Sequence, residues 1–413
     1  MTREWYQGRD RQARIRDAMT QNGYDVLLAV TPENAHYLAG HGNYIATHWR
    51  IPGVFSVAVA IDGQHAIVTG DFGVDPTSVL PYIHVPFTSW TESIDIRQST
   101  SGPVAERIVA ARPERVVRPA QFDLDEIWDR VSRAVRTVTP TPAVIGIDLL
   151  EIDPFSVEQL LERLPGVMLE DATNVFDDLR AIKDPDEIEH LQIACELTEL
   201  GIEGAIRRLE MGMTEAAVNS AYQISVHEQV MVSERFADFR QAEGMATIGI
   251  GADQPHLVEP GQTIKFDMQI DIAGYHSDVG RTVAIEPTPE QNEVYDALAI
   301  ALEKTVVAIR PGVSFAQLHE IGSTAMHEQG FTNYSRGHLG HSVGLTQHFE
   351  EAPFIAPDEH RLVAPSMVLS VELPYYIYGV GAFQLERMIE VTAGGSLPMD
   401  RMPFILAIDL NTR

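Results

Sequence analysis

Along this chain the spacing of apolar positions switches between helical and strand periods. Short β-prone runs at residues 25–30, 54–61 and 144–148 alternate with helical patterns, which predicts a mixed α/β domain at the start of the chain. From about 167 to 184 the composition changes, running through Asp171, Asn174 and Asp177 to Lys183-Asp184-Pro185. A boundary there divides the chain into domains 1–172 and 173–413. Asp184-Pro185-Asp186-Glu187 supplies a capping Asp, Pro at the first helical position and Glu three residues after the cap, so a helix is predicted to start there and run to about Leu209. Thr288-Pro289-Glu290-Gln291 and Ser314-Phe315-Ala316-Gln317 carry the same kind of start signal. These helices are expected to cover a sheet formed by the intervening strands, giving an α+β architecture of two domains.

Two strand patterns carry acids where strands normally carry solvated or neutral residues. In residues 263–285, Ile264, Phe266, Met268 and Ile270 alternate with Lys265, Asp267, Gln269 and Asp271, as in a half-buried strand. With Ile272 and Ala273 as a two-residue loop, Asp271 faces Gly274 and Asp267 faces Asp278. Near the C-terminus, residues 367–376 and 384–392 flank Gly379-Val380-Gly381, and a hairpin centred on Gly379 sets Glu372 opposite Glu386. Opposed like charges destabilise an antiparallel pair, with β-carbons only ~4.5–5.5 Å apart. Any one of these acids alone is better explained as a solvated strand residue. Two independent hairpins with opposed carboxylates call for bound cations, because unpaired burial is too costly. Between the hairpins, Gly337-His338-Leu339-Gly340-His341 is glycine-punctuated and able to bring a histidine close to other backbone. One imidazole with four carboxylates suits manganese, iron, cobalt or zinc. Two such ions ~3.5–4 Å apart would neutralise the cluster and activate water.

Composition narrows the partners. At 413 residues, two domains are expected. Acidic residues outnumber basic ones 59 to 30, a formal charge of −29 that repels phosphate backbones and anionic lipid surfaces, so neither nucleic acid nor membrane is an expected partner. The single cysteine, Cys195, lies in a helical pattern with Leu191 and Leu197 and reads as a buried structural thiol. The start, Met1-Thr2-Arg3-Glu4-Trp5, has no apolar signal core, and a cytoplasmic location is expected.

At the residues that carry the proposed chemistry, the chain resembles the pita-bread metallohydrolase family that includes methionine aminopeptidase, aminopeptidase P, prolidase and creatinase. Asp267, Ser277-Asp278, Arg281-Thr282, Gly340-His341, Glu372 and Glu386 match its ligand series in order. Residues 24–28 with Thr31-Pro32-Glu33-Asn34 resemble the N-terminal domain of the prolidase and creatinase branch, and Arg180-Ala181-Ile182-Lys183 resembles the start of its catalytic domain. The resemblance implies a creatinase-like N-terminal α/β domain, a pita-bread catalytic domain, and a homodimer with two divalent ions held by Asp267, Asp278, His341, Glu372 and Glu386. It implies hydrolysis of an amide bond in a small peptide, of the Xaa-Pro dipeptidase or aminopeptidase P kind. Glu372 would also shuttle the proton, His348 and His256 would contact substrate and stabilise the tetrahedral intermediate, and Tyr376 would stand near the site. His256 lies closer in sequence to Asp267 than the family pattern has it, and a structural role for it stays open. Other departures concern substrate. Gln384 stands where enzymes cutting before proline carry an arginine, Pro374 is one residue later than the family's Glu-Pro pair, and Arg387 stands where an Asp is common. Trp49-Arg50 falls near the aromatic and arginine that creatinase uses across its dimer to bind a small carboxylate. Gln384 and Arg50 keep open two alternatives: a creatinase- or ectoine-hydrolase-type enzyme acting on a non-peptide C–N bond, and a lyase acting on a small zwitterion such as dimethylsulfoniopropionate.

Overall fold

The computed structural model describes residues 10–72, 82–112, 114–250, 256–346 and 350–410. It divides into two compact units, Asp10–Leu179 and a second built from Arg180–Arg413. In the first, β1 (Val26–Ala29), β2 (Ser56–Ala60), β3 (His65–Gly70), β4 (Ile83–Phe87), β5 (Val144–Ile147) and β6 (Met168–Asp171) form one sheet in the order β4-β3-β2-β1-β5-β6. β2 runs antiparallel to both β1 and β3, and the remaining neighbours are parallel. The Leu124–Val138 helix buries Ile127, Trp128, Val131 and Val135, at the i, i+4 spacing that makes one apolar face, and packs on β2, β3 and β4. At the end of β5 the buried Asp148 accepts hydrogen bonds from the Val30 and Thr31 amides, the Thr31 hydroxyl and Asn34 Nδ2, which pins the turn after β1.

The second unit is built from helix pairs and hairpins. Its helices begin where the capping signals place them. The Asp184 amide donates to Glu187 Oε2 at 2.8 Å ahead of the Pro185–Arg208 helix. Thr288 and Gln291 cap the Pro289–Ala308 helix reciprocally, as Ser314 and Gln317 do for Phe315–Glu328. One sheet contains β7 (Phe239–Ile248), β8 (Thr263–Ile272), β9 (Tyr275–His276), β10 (Val279–Ile285) and β18 (Ala407–Ile408), in the order β18-β10-β8-β7 with β9 also on β8. A second contains β11 (Gly340–Ser342), β12 (Glu351–Phe354), β13 (Val368–Glu372), β16 (Glu386–Thr392) and β17 (Gly395–Pro398), in the order β12-β11-β13-β16-β17. β14 (Tyr375–Ile377) and β15 (Gly381–Phe383) extend its central hairpin.

No internal repeat is visible as sequence identity, yet this unit is a duplicated arrangement. Gly212, in the turn after the Pro185–Arg208 helix, donates to Val258 O, and Val258 donates back to Met213 O. Gly312, in the turn after the Pro289–Ala308 helix, donates to Val363 O, and Val363 donates back to Val313 O. Both glycines have positive φ, 81° and 90°, which a residue with a side chain rarely adopts. Asp267 lies nine residues after Val258 and Glu372 nine residues after Val363, so the two hairpins present acids at corresponding places in the two halves.

Candidate metal centre

The first hairpin forms with a register different from the one the sequence suggests. Its two-residue loop is Ala273-Gly274, not Ile272-Ala273, and Asp271 faces His276. Ala273 and Gly274 both have positive φ, 56° and 98°, the requirement of a type I′ turn, and placing Gly at the second central position selects this loop. The Asp271 carboxylate fastens it by accepting from the Gly274 amide at 2.6 Å. Moving the loop by one residue moves the pairing by two. Asp267 therefore faces Gly280, not Asp278, while Gln269 Nε2 donates to Asp278 Oδ2 at 3.3 Å. A shift of two keeps both acids on one face of the sheet, as diagonal neighbours.

The second hairpin has the register expected from a centre at Gly379, and Glu372 lies directly opposite Glu386. Its long strands are broken at Leu373-Pro374 and at Gln384-Leu385. Pro374 has no N–H to give the ladder, and the backbone of Gln384, which would face it, bonds elsewhere. The Gln384 amide donates to Thr282 Oγ1 at 2.8 Å and the Thr282 hydroxyl donates to Gln384 O at 3.1 Å. β10 is joined in this way to the break before β16, and Arg281 Nη1 adds a bond to the first residue of β16, at Glu386 O, 2.5 Å away. The side chain of Gln384 is thereby turned inward, where Nε2 donates to Glu372 Oε2 at 3.0 Å and to Glu386 Oε2 at 3.2 Å.

His341 enters from β11, paired with Ser370 on β13. Its Nδ1 lies 2.9 Å from Ser342 O, so Nδ1 carries the proton and Nε2 presents its lone pair, 3.7 Å from Asp278 Oδ2. One donor atom from each of Asp278, His341 and Glu386 falls within 4.8 Å of the other two. Around them Ser370 Oγ donates to Glu386 Oε1, Lys265 Nζ to Asp267 Oδ2 and Arg336 Nη2 to Glu372 Oε1. A cavity of about 230 Å³ opens on Asp267, Asp278, His341 and Glu350. Burial, and then the charges of Asp267 and Glu372, push the Asp278 carboxyl well above the ordinary carboxylate range. Burial, and then Asp278, Asp267 and Glu372, do the same to Glu386.

These features fit cations held between the hairpins. Asp278 Oδ1 is buried and has no hydrogen-bond partner, an expense that a coordinated cation removes. Gly280 keeps the space open, because a Cβ there would stand 2.4 Å from Gln384 Cγ and 2.9 Å from Glu386 Oε2. The donor set of oxygens and one imidazole suits first-row divalent ions. Residues 189–393, a segment containing every one of these donors, match the model of metallopeptidase family M24. The chain belongs to this family. It is accordingly a metal-dependent hydrolase.

Relatives of this M24 peptidase agree with the assignment. A putative dipeptidase of Bacillus subtilis is 24% identical over 293 residues, covering 69% of this chain and 78% of its own. An Xaa-Pro dipeptidase of Pyrococcus horikoshii is 26% identical over 259 residues, covering 62% and 73%. Among solved structures, an Xaa-Pro dipeptidase from Bacillus anthracis matches with a TM-score of 0.72 at 20% identity over 96% of this chain and 99% of that one. An X-Pro aminopeptidase from Thermotoga maritima matches with 0.69 at 17% identity over 97% and 100%. At these identities the structural matches establish the shared two-domain fold.

The remaining candidates from the sequence are placed as follows. Tyr376 is 48% exposed, with its hydroxyl 3.5 Å from Gln384 Oε1 and its ring 5.6 Å from Lys265 Nζ. His256 lies beside Gly249 and is not among the residues lining the cavity. His348 lies outside the described residues. Arg50 and Trp49 belong to the first unit, where Arg50 bridges Glu33 and Glu151 at 2.6 Å each and Trp49 packs edge-on against Trp90 and Phe122. Several contributors escaped the sequence reading. Gln269, Ser370 and Arg336 reach the acids from neighbouring strands and loops, and His338, from the glycine-punctuated segment before β11, approaches both Glu350 and Glu372. Beneath the cavity, Lys183 Nζ donates to Ser342 Oγ at 2.8 Å and Arg180 pairs with Glu351. Burial opposes ionisation of Glu351, but Arg180, Lys183 and Thr346 outweigh it and bring its pKa down to about 2. Burial, with a smaller push from the Arg180 charge, brings Lys183 down to about 8 against the pull of Glu351 and Glu187. Strand alternation identifies acids facing one another but not supports arriving from distant segments.

Proposed function

We propose that this M24 enzyme is a dinuclear peptidase acting on short peptides, with the bond before a proline as its principal target. The observation that carries this reading is the convergence of Asp278, His341 and Glu386, with Glu372 facing Glu386 and Asp267 on the same face as Asp278. Asp267, Asp278, His341, Glu372 and Glu386 would hold two divalent ions, from among manganese, iron, cobalt and zinc. When bound, such a pair supplies Lewis acidity to the scissile carbonyl and acidifies a water. Glu372 is suited to proton transfer because Gln384 and Arg336 hold its two oxygens in place, and it would carry the proton to the leaving nitrogen. By the family resemblance His348 would stabilise the developing oxyanion, with His256 the second candidate for that role. The names of the Pyrococcus and Bacillus relatives support the Xaa-Pro preference. A homodimer working in the cytoplasm completes the reading; no described helix is long and apolar enough to cross a membrane.

One observation favours a second reading. Gln384 places a neutral amide between Glu372 and Glu386, which suits a small non-peptide substrate cleaved at a C–N bond, or a zwitterion undergoing elimination. Purified protein loaded with each metal in turn and assayed with Xaa-Pro dipeptides, creatine, an ectoine and dimethylsulfoniopropionate separates the two. Turnover of Ala-Pro with a stoichiometry near two metals per chain is the expected result. Turnover of only a non-peptide compound would replace the first reading with the second.

A further inference from the structure

The residues that match the family model end at 393, and the chain beyond them runs directly beneath the metal centre. Pro398, the last residue of β17, is paired with Ile389 on β16, and the Met399 amide donates to Met388 O at 2.9 Å. Further on, the Ala284 amide of β10 donates to Leu406 O at 2.7 Å, and β18 lies parallel to β10. The segment 399–406 is therefore a strap that crosses from the sheet carrying Glu372 and Glu386 to the sheet carrying Asp267. It is anchored on the Pro185–Arg208 helix, where Gln192 Nε2 donates to Met399 O at 2.8 Å and Glu199 accepts from the Arg401 and Met402 amides.

At the crossing the strap carries Asp400, whose side chain is 0% exposed and accepts from two guanidinium groups. Arg281 Nη2 donates to its Oδ2, and Arg387 Nε donates to its Oδ1 at 2.9 Å. Phe404 of the strap lies over both, 4.1 Å from Arg281 Cζ and 5.4 Å from Arg387 Cζ to the ring centre. These two arginines stand on either side of Glu386. Arg387 follows it in the chain, and Arg281 Nη1 donates to its carbonyl oxygen. Arg281 is also close to the Glu386 carboxylate, since it follows Gly280, where a Cβ would stand 2.9 Å from Glu386 Oε2. A buried guanidinium requires an anion, and its planar fork takes a carboxylate more strongly than a carbonyl. Arg281 nevertheless leaves the Glu386 carboxylate to Ser370 and Gln384. Its Nη2 edge is already filled by Asp400 and by Met402 O at 3.0 Å, with Glu199 Oε1 3.5 Å away. Because the fork is rigid, fixing Nη2 on the strap aims Nη1 at the Glu386 carbonyl.

We propose that Asp400 is a positioning residue of the metal centre, acting from beyond the family-matched segment. Through Arg281 and Arg387 it fixes the backbone of Glu386, and it keeps both guanidinium groups from competing with the cations for the Glu386 carboxylate. The inference rests on the ligand set of the proposed function and deepens it by adding the part of the chain that holds one ligand in place.

The test compares cobalt-loaded wild type with D400N, D400E and Q192A. Q192A removes an anchor of the strap that touches neither guanidinium, and so reports what loosening the strap does by itself. For each protein the visible absorption of bound cobalt, its dissociation constant by chelator competition, kcat and KM for Ala-Pro, and urea unfolding without metal are measured. In D400N cobalt should bind about 10- to 100-fold more weakly, with altered absorption bands and kcat reduced by a similar factor at nearly constant KM. D400E keeps the charge and should recover part of the affinity and of the wild-type spectrum. Q192A should lose stability in urea and keep the cobalt spectrum, affinity and kcat of wild type. If D400N does not fold, R387M, which removes the partly exposed arm, takes its place and should alter the cobalt spectrum where Q192A does not. A D400N or R387M protein with the wild-type spectrum and affinity would overturn the proposal, and so would a Q192A protein that matches D400N in both. The cobalt measurements need no substrate. A protein that cleaves no peptide but shows the D400N shift would refute the peptidase reading and uphold the positioning role, whereas full cleavage of Ala-Pro by D400N with unchanged cobalt binding would do the reverse.

Discussion

Replacing Glu386 by Gln in protein stripped of metal tests the electrostatic premise of the site directly. Glu386 is 1% exposed, and one of its oxygens lies within 4.8 Å of an oxygen of Asp278. At that separation two like charges repel by about 3–4 kcal/mol with an effective dielectric constant of ~20. Without metal, the cluster relieves this by taking up protons, which is why burial and the neighbouring acids hold both Glu386 and Asp278 above the ordinary carboxylate range. A folded pKa raised above the unfolded value stabilises the fold fully below the unfolded value, about 4 for a carboxylate, and that contribution is lost as pH rises through the folded value. Metal-free wild type should therefore lose stability as the pH rises from about 4 into the raised range. Glu386→Gln removes one titrating group from that descent. It also turns an amide towards Gln384 Nε2 or Ser370 Oγ, one of which loses its acceptor, at a cost of about 1 kcal/mol. The net gain at pH 8 is about 2 kcal/mol, or roughly 4–8 °C in Tm for a unit of this size. Differential scanning calorimetry in chelator across pH 5–8.5 measures it. With manganese or zinc the order should reverse, since wild type gains metal-linked stability and the variant does not. If metal-free Glu386→Gln melts at or below wild type at pH 8, with an unchanged slope against pH, carboxylate crowding does not govern this site.

Three further outcomes follow from individual contacts. Gly280→Ala places a Cβ against Gln384 Cγ and Glu386 and should lower metal affinity at least tenfold while costing the fold only about 1–3 kcal/mol, as read by metal titration beside urea unfolding. Glu351→Ala removes the buried carboxylate that pairs with Arg180 and attracts Lys183, and should destabilise the second unit by about 3–5 kcal/mol. Because the Glu351 pKa is depressed to about 2, its contribution is present above the unfolded value near 4 and is lost as pH falls towards 2, so wild type and variant should converge in acid melts. Asp148→Ala removes the acceptor shared by the Val30 and Thr31 amides, the Thr31 hydroxyl and Asn34 Nδ2, and should cost the first unit about 3–5 kcal/mol, visible as faster limited proteolysis within residues 10–179.

Much of the second unit was legible because its signals are local. A capping box involves two side chains three residues apart, and Asp184, Thr288 and Ser314 open their helices as those pairs require. The supports of the centre are not local. Ser370 and Glu386 lie on neighbouring strands, Arg336 comes from the loop before β11, and Arg281 binds the backbone of Glu386 across 105 residues. No spacing rule within one element finds such partners. The duplication was hidden for a related reason: its two halves share the backbone bonds of Gly212 and Gly312 with Val258 and Val363, and those bonds constrain conformation more than side-chain identity.

The hairpins show which part of the sequence argument bears on the chemistry. Asp267 does not face Asp278, whereas Glu372 does face Glu386. The acids nevertheless reach one another in both, because strand side chains alternate and a slip of two residues returns each side chain to the face it left. A slip of one would have turned Asp267 to the face occupied by the buried Phe266 and Met268 and dispersed the cluster. The turn therefore has one task that the centre depends on, which is to preserve parity. Ala273-Gly274 and the loop around Gly379 do so through glycines at positive φ. An insertion of one residue between Asp271 and Gly274 should accordingly damage metal retention far more than an insertion of two, although the longer insertion disturbs more chain.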